Sequence, residues 1–115
     1  MIQNLNNTSL EEQLAAVRKN VHVIAGVNNP SLEIQLEAVR YNAYAIQYID
    51  SPYLEVQLEA VRRSSCVVRF INNPSPEVQL EVAKSIPRNF AKYITHPEAR
   101  RLLEDRLLVE SILSA

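Results

Sequence analysis

Few side chains in this sequence are equipped for acid–base, nucleophilic or metal chemistry: one cysteine, Cys66, two histidines, His22 and His96, and two aspartates, Asp50 and Asp105. Zinc needs ligands about 2.0–2.3 Å from a single ion. Cys66 and His22 hold equivalent places two repeat units apart, roughly 20 Å if each unit advances by one helix-packing distance, and His96 lies beyond another unit. No metal site is expected. Cys66 near Arg69 has one ingredient of an activated thiol, but no histidine is positioned to serve it. Glutamate pairs such as Glu33 and Glu37 recur in every unit on a solvated face, the reverse of the buried setting that tunes a catalytic acid. The only glycine, Gly26, argues the same way. Phosphate-cradling loops and tight hairpins need several glycines for left-handed backbone and close approach. With no nucleophile–base–oxyanion constellation, the sequence predicts no enzyme and no cofactor.

The elements that carry these residues belong to a single domain, 1–115. The 115 residues are 47% apolar and 22% charged, a composition for a folded, soluble chain. No apolar run approaches the roughly 18 residues that span a bilayer. The start, Met1-Ile2-Gln3-Asn4-Leu5, lacks the basic and apolar regions of a signal peptide. The lone cysteine excludes an internal disulfide. A cytoplasmic, reducing location with no membrane partner is expected.

Organisation comes from an internal repeat. Asn28-Asn29-Pro30-Ser31-Leu32-Glu33-Ile34-Gln35-Leu36-Glu37-Ala38-Val39-Arg40 returns as Asp50-Ser51-Pro52-Tyr53-Leu54-Glu55-Val56-Gln57-Leu58-Glu59-Ala60-Val61-Arg62, a spacing of 22 residues. Gln13, Gln35, Gln57 and Gln79 keep that spacing, each followed by a leucine. Four units result, 6–27, 28–49, 50–71 and 72–94. Ile2 and Leu5 match the end of a truncated preceding unit. The last unit holds an extra residue near Ser85-Ile86-Pro87, and Pro87 is expected to distort it.

Each unit reads as two short helices. Asn29-Pro30, Ser51-Pro52 and Asn73-Pro74 fit an N-cap followed by proline in the first helical position, where its missing N–H costs nothing. Asn20, Asn42 and Ser64 fit a second N-cap, opening a helix of about two turns. Helices this short hold only by stacking on their neighbours. The predicted fold is therefore all-α: a short right-handed α-solenoid, roughly 40–50 Å long at 8–10 Å per packed helix. A longer helix, 98–114, caps it.

On a helical wheel, Leu32, Leu36 and Val39 form the core side of the first helix, extended by Ala38 and Ile34. Gln35 falls inside this apolar arc. An unpaired buried amide costs on the order of 1–3 kcal/mol, so Gln13, Gln35, Gln57 and Gln79 are expected to form a structural ladder, bonded to backbone or to one another. Glu37 with Arg40, and Glu59 with Arg62 and Arg63, stand at i,i+3 or i,i+4 spacing on the solvated arc.

The second helix has apolar core positions throughout: Val23, Ile24 and Val27; Ala45, Ile46 and Ile49; Val67, Val68 and Ile71. Its outward positions change from unit to unit. Positions that repeat unchanged serve stacking, and exposed positions that vary can encode one partner. Tyr44, Gln47, Tyr48, Arg69, Phe70, Lys92 and Tyr93, with Arg62 and Arg63 nearby, are the candidate partner-binding residues, because aromatics beside cations dominate binding hot spots. The plainer reading of Tyr48, Phe70 and Tyr93 is that they fill the seam between units; Tyr44 and Arg69 point further out. In the terminal helix, Leu102, Leu103, Leu107, Val109 and Leu113 form one stripe facing the array. Leu108 and Ile112 form a second, a candidate self-association surface for a homodimer.

Charge is uneven. Residues 1–61 hold three basic and seven acidic side chains, whereas residues 62–106 hold nine basic and five acidic ones. Arg62, Arg63, Arg69, Arg88, Lys92, Arg100 and Arg101, with Phe70, Phe90 and Tyr93 among them, make nucleic-acid binding the alternative reading of the second half. Glu77, Glu81, Glu98 and Glu104 interrupt that patch, and the whole chain has a formal charge of −1.

The pattern Val56-Gln57-Leu58-Glu59-Ala60-Val61-Arg62, a small helix, then Asn-Asn-Pro resembles HEAT-like α-solenoids, in particular the short two-helix class that includes the leucine-rich repeat variant. It is also similar to short repeats of unknown function in bacteriophage and large-virus proteins. The resemblance covers about residues 6–97 and brings no shared catalytic residues. It implies a non-enzymatic protein-binding module. With the viral likeness, it implies a phage-type inhibitor of a host defence protein that acts by surface occlusion in the host cytoplasm.

Overall fold

Serine, not the Asn-Pro step, starts most of the α helices. Ser9, Ser31 and Ser75 are the N-caps, and their hydroxyls accept from the backbone N–H of Glu12, Ile34 and Val78. The expected cap at Asn29 and Asn73 is corrected accordingly. Both residues have left-handed backbone (φ 48° and 47°) and turn the chain into the proline that follows, a conformation asparagine tolerates. In the third unit Tyr53 occupies the cap position and makes no side-chain bond there.

The computed structural model describes residues 5–114; the expectation for the Ile2 and Leu5 side chains lies outside what is described. In chain order the elements are η1 (Leu5–Asn7), α1 (Leu10–Lys19), η2 (Val21–Gly26), α2 (Leu32–Tyr41), η3 (Ala43–Tyr48), α3 (Leu54–Arg63), η4 (Ser65–Phe70), α4 (Pro76–Ala83), η5 (Arg88–Tyr93) and α5 (Pro97–Leu113). Those labelled η are 3-10 helices. No strand occurs among the described residues, and the fold is all-α.

The 3-10 character of the second helices has local causes. Asn20 and Asn42 are each at once the C-cap of an α helix and the N-cap of the next 3-10 helix, in extended backbone. Their side chains accept from the N–H of His22 and Tyr44 two residues on. Only six residues follow before the next turn, and a 3-10 helix covers more length per residue than an α helix. Three residues per turn aligns side chains at i and i+3. Ala43, Ile46 and Ile49 accordingly line the core, while Tyr44 and Gln47 face out.

Consecutive helices pack on one another: α1 to α5 form one row, η2 to η5 a second, and α2 and α3 each touch the 3-10 helices on both sides. The body measures 56 × 24 × 17 Å. Because α2 is enclosed by α1, α3, η2 and η3, its buried stripe is wider than the wheel indicates. Ile34, Gln35, Ala38 and Val39 are fully buried, and Leu32 and Leu36 are partly so.

The last unit departs from the others. Helix α4 ends at Ala83, a turn follows, and Ile86 drops into the core. Pro87 takes the N-cap place of η5 without a capping bond. The stripe expected of the terminal helix is narrower than its five residues. Ala99 and Leu103 are buried and Leu107 partly so, whereas Leu102, Val109 and Leu113 are exposed. For Val109 and Leu113 the cause is length, since α5 has 17 residues against 8 in α4, the helix it packs on; Leu102 turns away from α4 beside the buried Leu103.

Candidate functional site

Two polar systems run along the α row and consume most of its polar side chains. In the first, Gln35, Gln57 and Gln79 each donate to the carbonyl of the proline five residues back, Pro30, Pro52 and Pro74, at 3.0 Å. The side-chain oxygen of Gln35 accepts the Tyr53 amide of the next unit at 3.3 Å. That of Gln79 accepts the amides of Thr95 and His96 at 2.7 and 2.8 Å. Gln35 and Gln79 are only 3% and 6% exposed; Gln57 is half-buried, as is Gln13. Gln35, Gln57 and Gln79 thus bond backbone rather than one another.

The second system is ionic and crosses between units. Arg18 meets Glu37, Arg40 meets Glu59 and Arg62 meets Glu81, at 2.5, 3.1 and 3.4 Å. The expected Glu37–Arg40 and Glu59–Arg62 pairs within one helix are not what forms, because each arginine reaches the glutamate of the next α helix instead. Arg63 does pair with Glu59 on its own helix, and it also donates to the Arg40 carbonyl. Hydrogen bonding from Arg40 holds the Glu59 carboxyl below the usual carboxylate range, and bonding chiefly from Lys84 does the same for Glu81. Arg62 and Arg63 are thereby engaged on the α row.

The 3-10 row is different in kind. Tyr44, at the second position of η3, meets Phe70, at the last position of η4, edge to face with ring centroids 6.0 Å apart. One unit earlier His22 of η2 meets Tyr48 of η3 at 4.9 Å, with the phenol oxygen 3.4 Å from His22 Nε2. The same diagonal recurs because second and last positions of neighbouring 3-10 helices come side by side. Arg69 lies 4.7 Å above the Phe70 ring and 5.9 Å from that of Tyr44. Lys92 lies 5.3 Å from the Tyr93 ring, which in turn rests against Phe90. Gln47 donates back to the Tyr44 carbonyl. Tyr44 is 38% exposed, and Arg69 and Lys92 are exposed; Tyr48, Phe70 and Tyr93 are half-buried against the core. The structure thus brings Tyr44, Arg69 and Phe70 into one cluster. Lys92 and Tyr93 form a neighbouring one, and Arg62 and Arg63 belong to the other row.

Leu108 and Ile112 lie on the end of α5 that extends past α4, 60% and 65% exposed. Sequence reasoning missed the His22–Tyr48 contact, since matching their register needs the three-residue turn. It also missed a groove of about 620 Å³ at the turn edge where the first three units meet, lined by Val27, Asn29, Gln35, Tyr48 and Tyr53 among others. Cys66 is half-buried and forms no disulfide. Among the described residues no three His, Cys, Asp or Glu side chains gather as a metal site would, and no helix is long and apolar enough to cross a membrane. Comparison of the chain with protein-family models, curated proteins and solved structures found no match.

Proposed function

We propose that this chain is a non-enzymatic protein-binding module whose 3-10 row is the contact face. The observation that supports this most is the contrast between the two rows. The α row repeats its side chains and ties them up in ladders. The 3-10 row changes from unit to unit and holds aromatic rings beside cations that have no carboxylate partner among the described residues. Hot spots have this composition, and a fixed scaffold presents them at little entropic cost. Such a module acts by covering a partner's surface. In the light of the phage-type resemblance, the partner proposed is a host defence protein in the cytoplasm.

Nucleic acid is the second reading. Against it, Arg62, Arg63, Lys84, Arg100 and Arg106 are already ion-paired to the chain's own glutamates, which leaves a small number of cations for phosphate. The test is capture from a lysate of the source cell on immobilised chain, with and without nuclease. A stoichiometric protein retained after nuclease treatment is the expected result. Recovery that vanishes with nuclease would move the assignment to nucleic acid.

A further inference from the structure

We infer that the 3-10 face takes an acidic protein segment, with two or three carboxylates spread over about 10 Å, the span of the one unit advance from η4 to η5. The inference rests on the reading of that face as the contact surface and names the chemistry of what it meets.

Charge segregation is the first ground. Each of α1 to α4 carries two glutamates. The four 3-10 helices from η2 to η5, with sequences VHVIAG, AYAIQY, SCVVRF and RNFAKY, carry no acidic residue. They hold Arg69, Arg88 and Lys92, all three exposed. In a chain of net charge −1, η4 and η5 therefore form a cationic stretch with no acidic residue of their own.

Guanidinium geometry is the second. The arginines Arg18, Arg40 and Arg62 of the α row point at carboxylates of the next unit. Arg69 instead rests over Phe70 and near Tyr44. A guanidinium held over a ring keeps its edge of N–H donors available, and that edge matches the two oxygens of a carboxylate. The rings also lower the local dielectric, so a carboxylate arriving there is held more strongly than at an open surface.

The rings decide between protein and single-stranded nucleic acid. Bases need free aromatic faces to stack on. Here Tyr44 and Phe70 meet edge to face, His22 covers Tyr48, and Arg69 and Lys92 sit over Phe70 and Tyr93. These are packed hydrophobic supports for cations, not open platforms.

The test is selection of 12-residue peptides from a random display library on the full chain, then titration of a fluorescent copy of the most enriched sequence. An excess of Asp and Glu in the enriched peptides is expected. Affinity should fall about tenfold between 50 and 300 mM NaCl, as an interaction built on charge pairs does. It should fall at least about tenfold for Arg69→Ala with Lys92→Ala, since truncating one side of a desolvated charge pair is costly. Enriched peptides that are neutral or basic, yet lost with Tyr44→Ala, overturn the acidic chemistry while keeping the face. Peptides indifferent to every substitution on the 3-10 row, or tighter binding of a 20-nucleotide oligo-dT, overturn both. No enrichment at all overturns the acidic segment and leaves the capture experiment to judge the contact face.

Discussion

Gln79 Oε1 accepts the backbone N–H of His96 at 2.8 Å, and so the fourth unit holds the first turn of the terminal helix. The same oxygen takes the Thr95 amide, and the side-chain nitrogen is bonded to Pro74. Gln79→Leu removes the partner of three backbone groups at once. Leaving these part-buried backbone groups unpaired should cost about 1–2 kcal/mol in urea unfolding. Gln57→Leu, at a half-buried amide bonded to Pro52, should cost about 1 kcal/mol or less on the same principle. Equal losses, or a gain at Gln79, would remove the ladder from the account of stability.

Tyr53 stands where Ser9, Ser31 and Ser75 cap their helices, and it is exposed without a capping bond. Tyr53→Ser supplies the missing hydroxyl and keeps the backbone N–H that Gln35 accepts. It should stabilise by about 0.5–1 kcal/mol, the usual value of an N-cap. Thermal melting reads the change directly.

The ladder of ion pairs makes stability depend on pH. Glu59 and Glu81 have depressed pKa values in the folded chain. Their contribution is therefore fully present above the ordinary carboxylate pKa and is lost as pH falls through the depressed values. The Tm should decline between about pH 5 and pH 3, with a shallower slope for Glu59→Gln with Glu81→Gln. The pairs are partly solvated, so each is worth no more than about 1 kcal/mol, less in high salt. A double variant with the wild-type slope would assign the acid response elsewhere.

Leu108→Glu with Ile112→Glu should leave helicity and Tm unchanged, since both side chains stand in solvent beyond the reach of α4. Sedimentation at high protein concentration should show less self-association than wild type, because the substitution breaks an apolar stripe. A drop of several degrees in Tm would mean that these residues pack in the monomer.

The repeat and the all-α fold were legible because helical period and the 22-residue spacing agree over the first three units and into the fourth. The amide positions were legible too, since a polar residue inside an apolar arc must find a partner. Four features were not. The second helices read as ordinary two-turn helices, and nothing in the six residues VHVIAG separates an α from a 3-10 winding until both ends are anchored. The glutamate–arginine pairs cross units because the spacing between α helices places Glu59 nearer Arg40 than a wheel of one helix can tell. The stripe of α5 was overdrawn because its depth depends on α4, which the turn at Lys84-Ser85 cuts short. The cluster of Tyr44, Arg69 and Phe70 was approached as single outward residues. Their contact follows from the three-residue turn.

The central claim concerns the 3-10 face, and it is tested most directly by capture on three immobilised forms side by side, all nuclease-treated. These are the wild type, Tyr44→Ala with Arg69→Ala, and Glu55→Ala on the exposed side of the α row. The paired substitution removes one edge-to-face ring contact and the cation above it. It should lower stability by about 1 kcal/mol or less. The account predicts one stoichiometric protein partner held by the wild type and by Glu55→Ala and lost from the paired variant while its helicity is unchanged. Equal capture by all three forms, or loss only with Glu55→Ala, would contradict it.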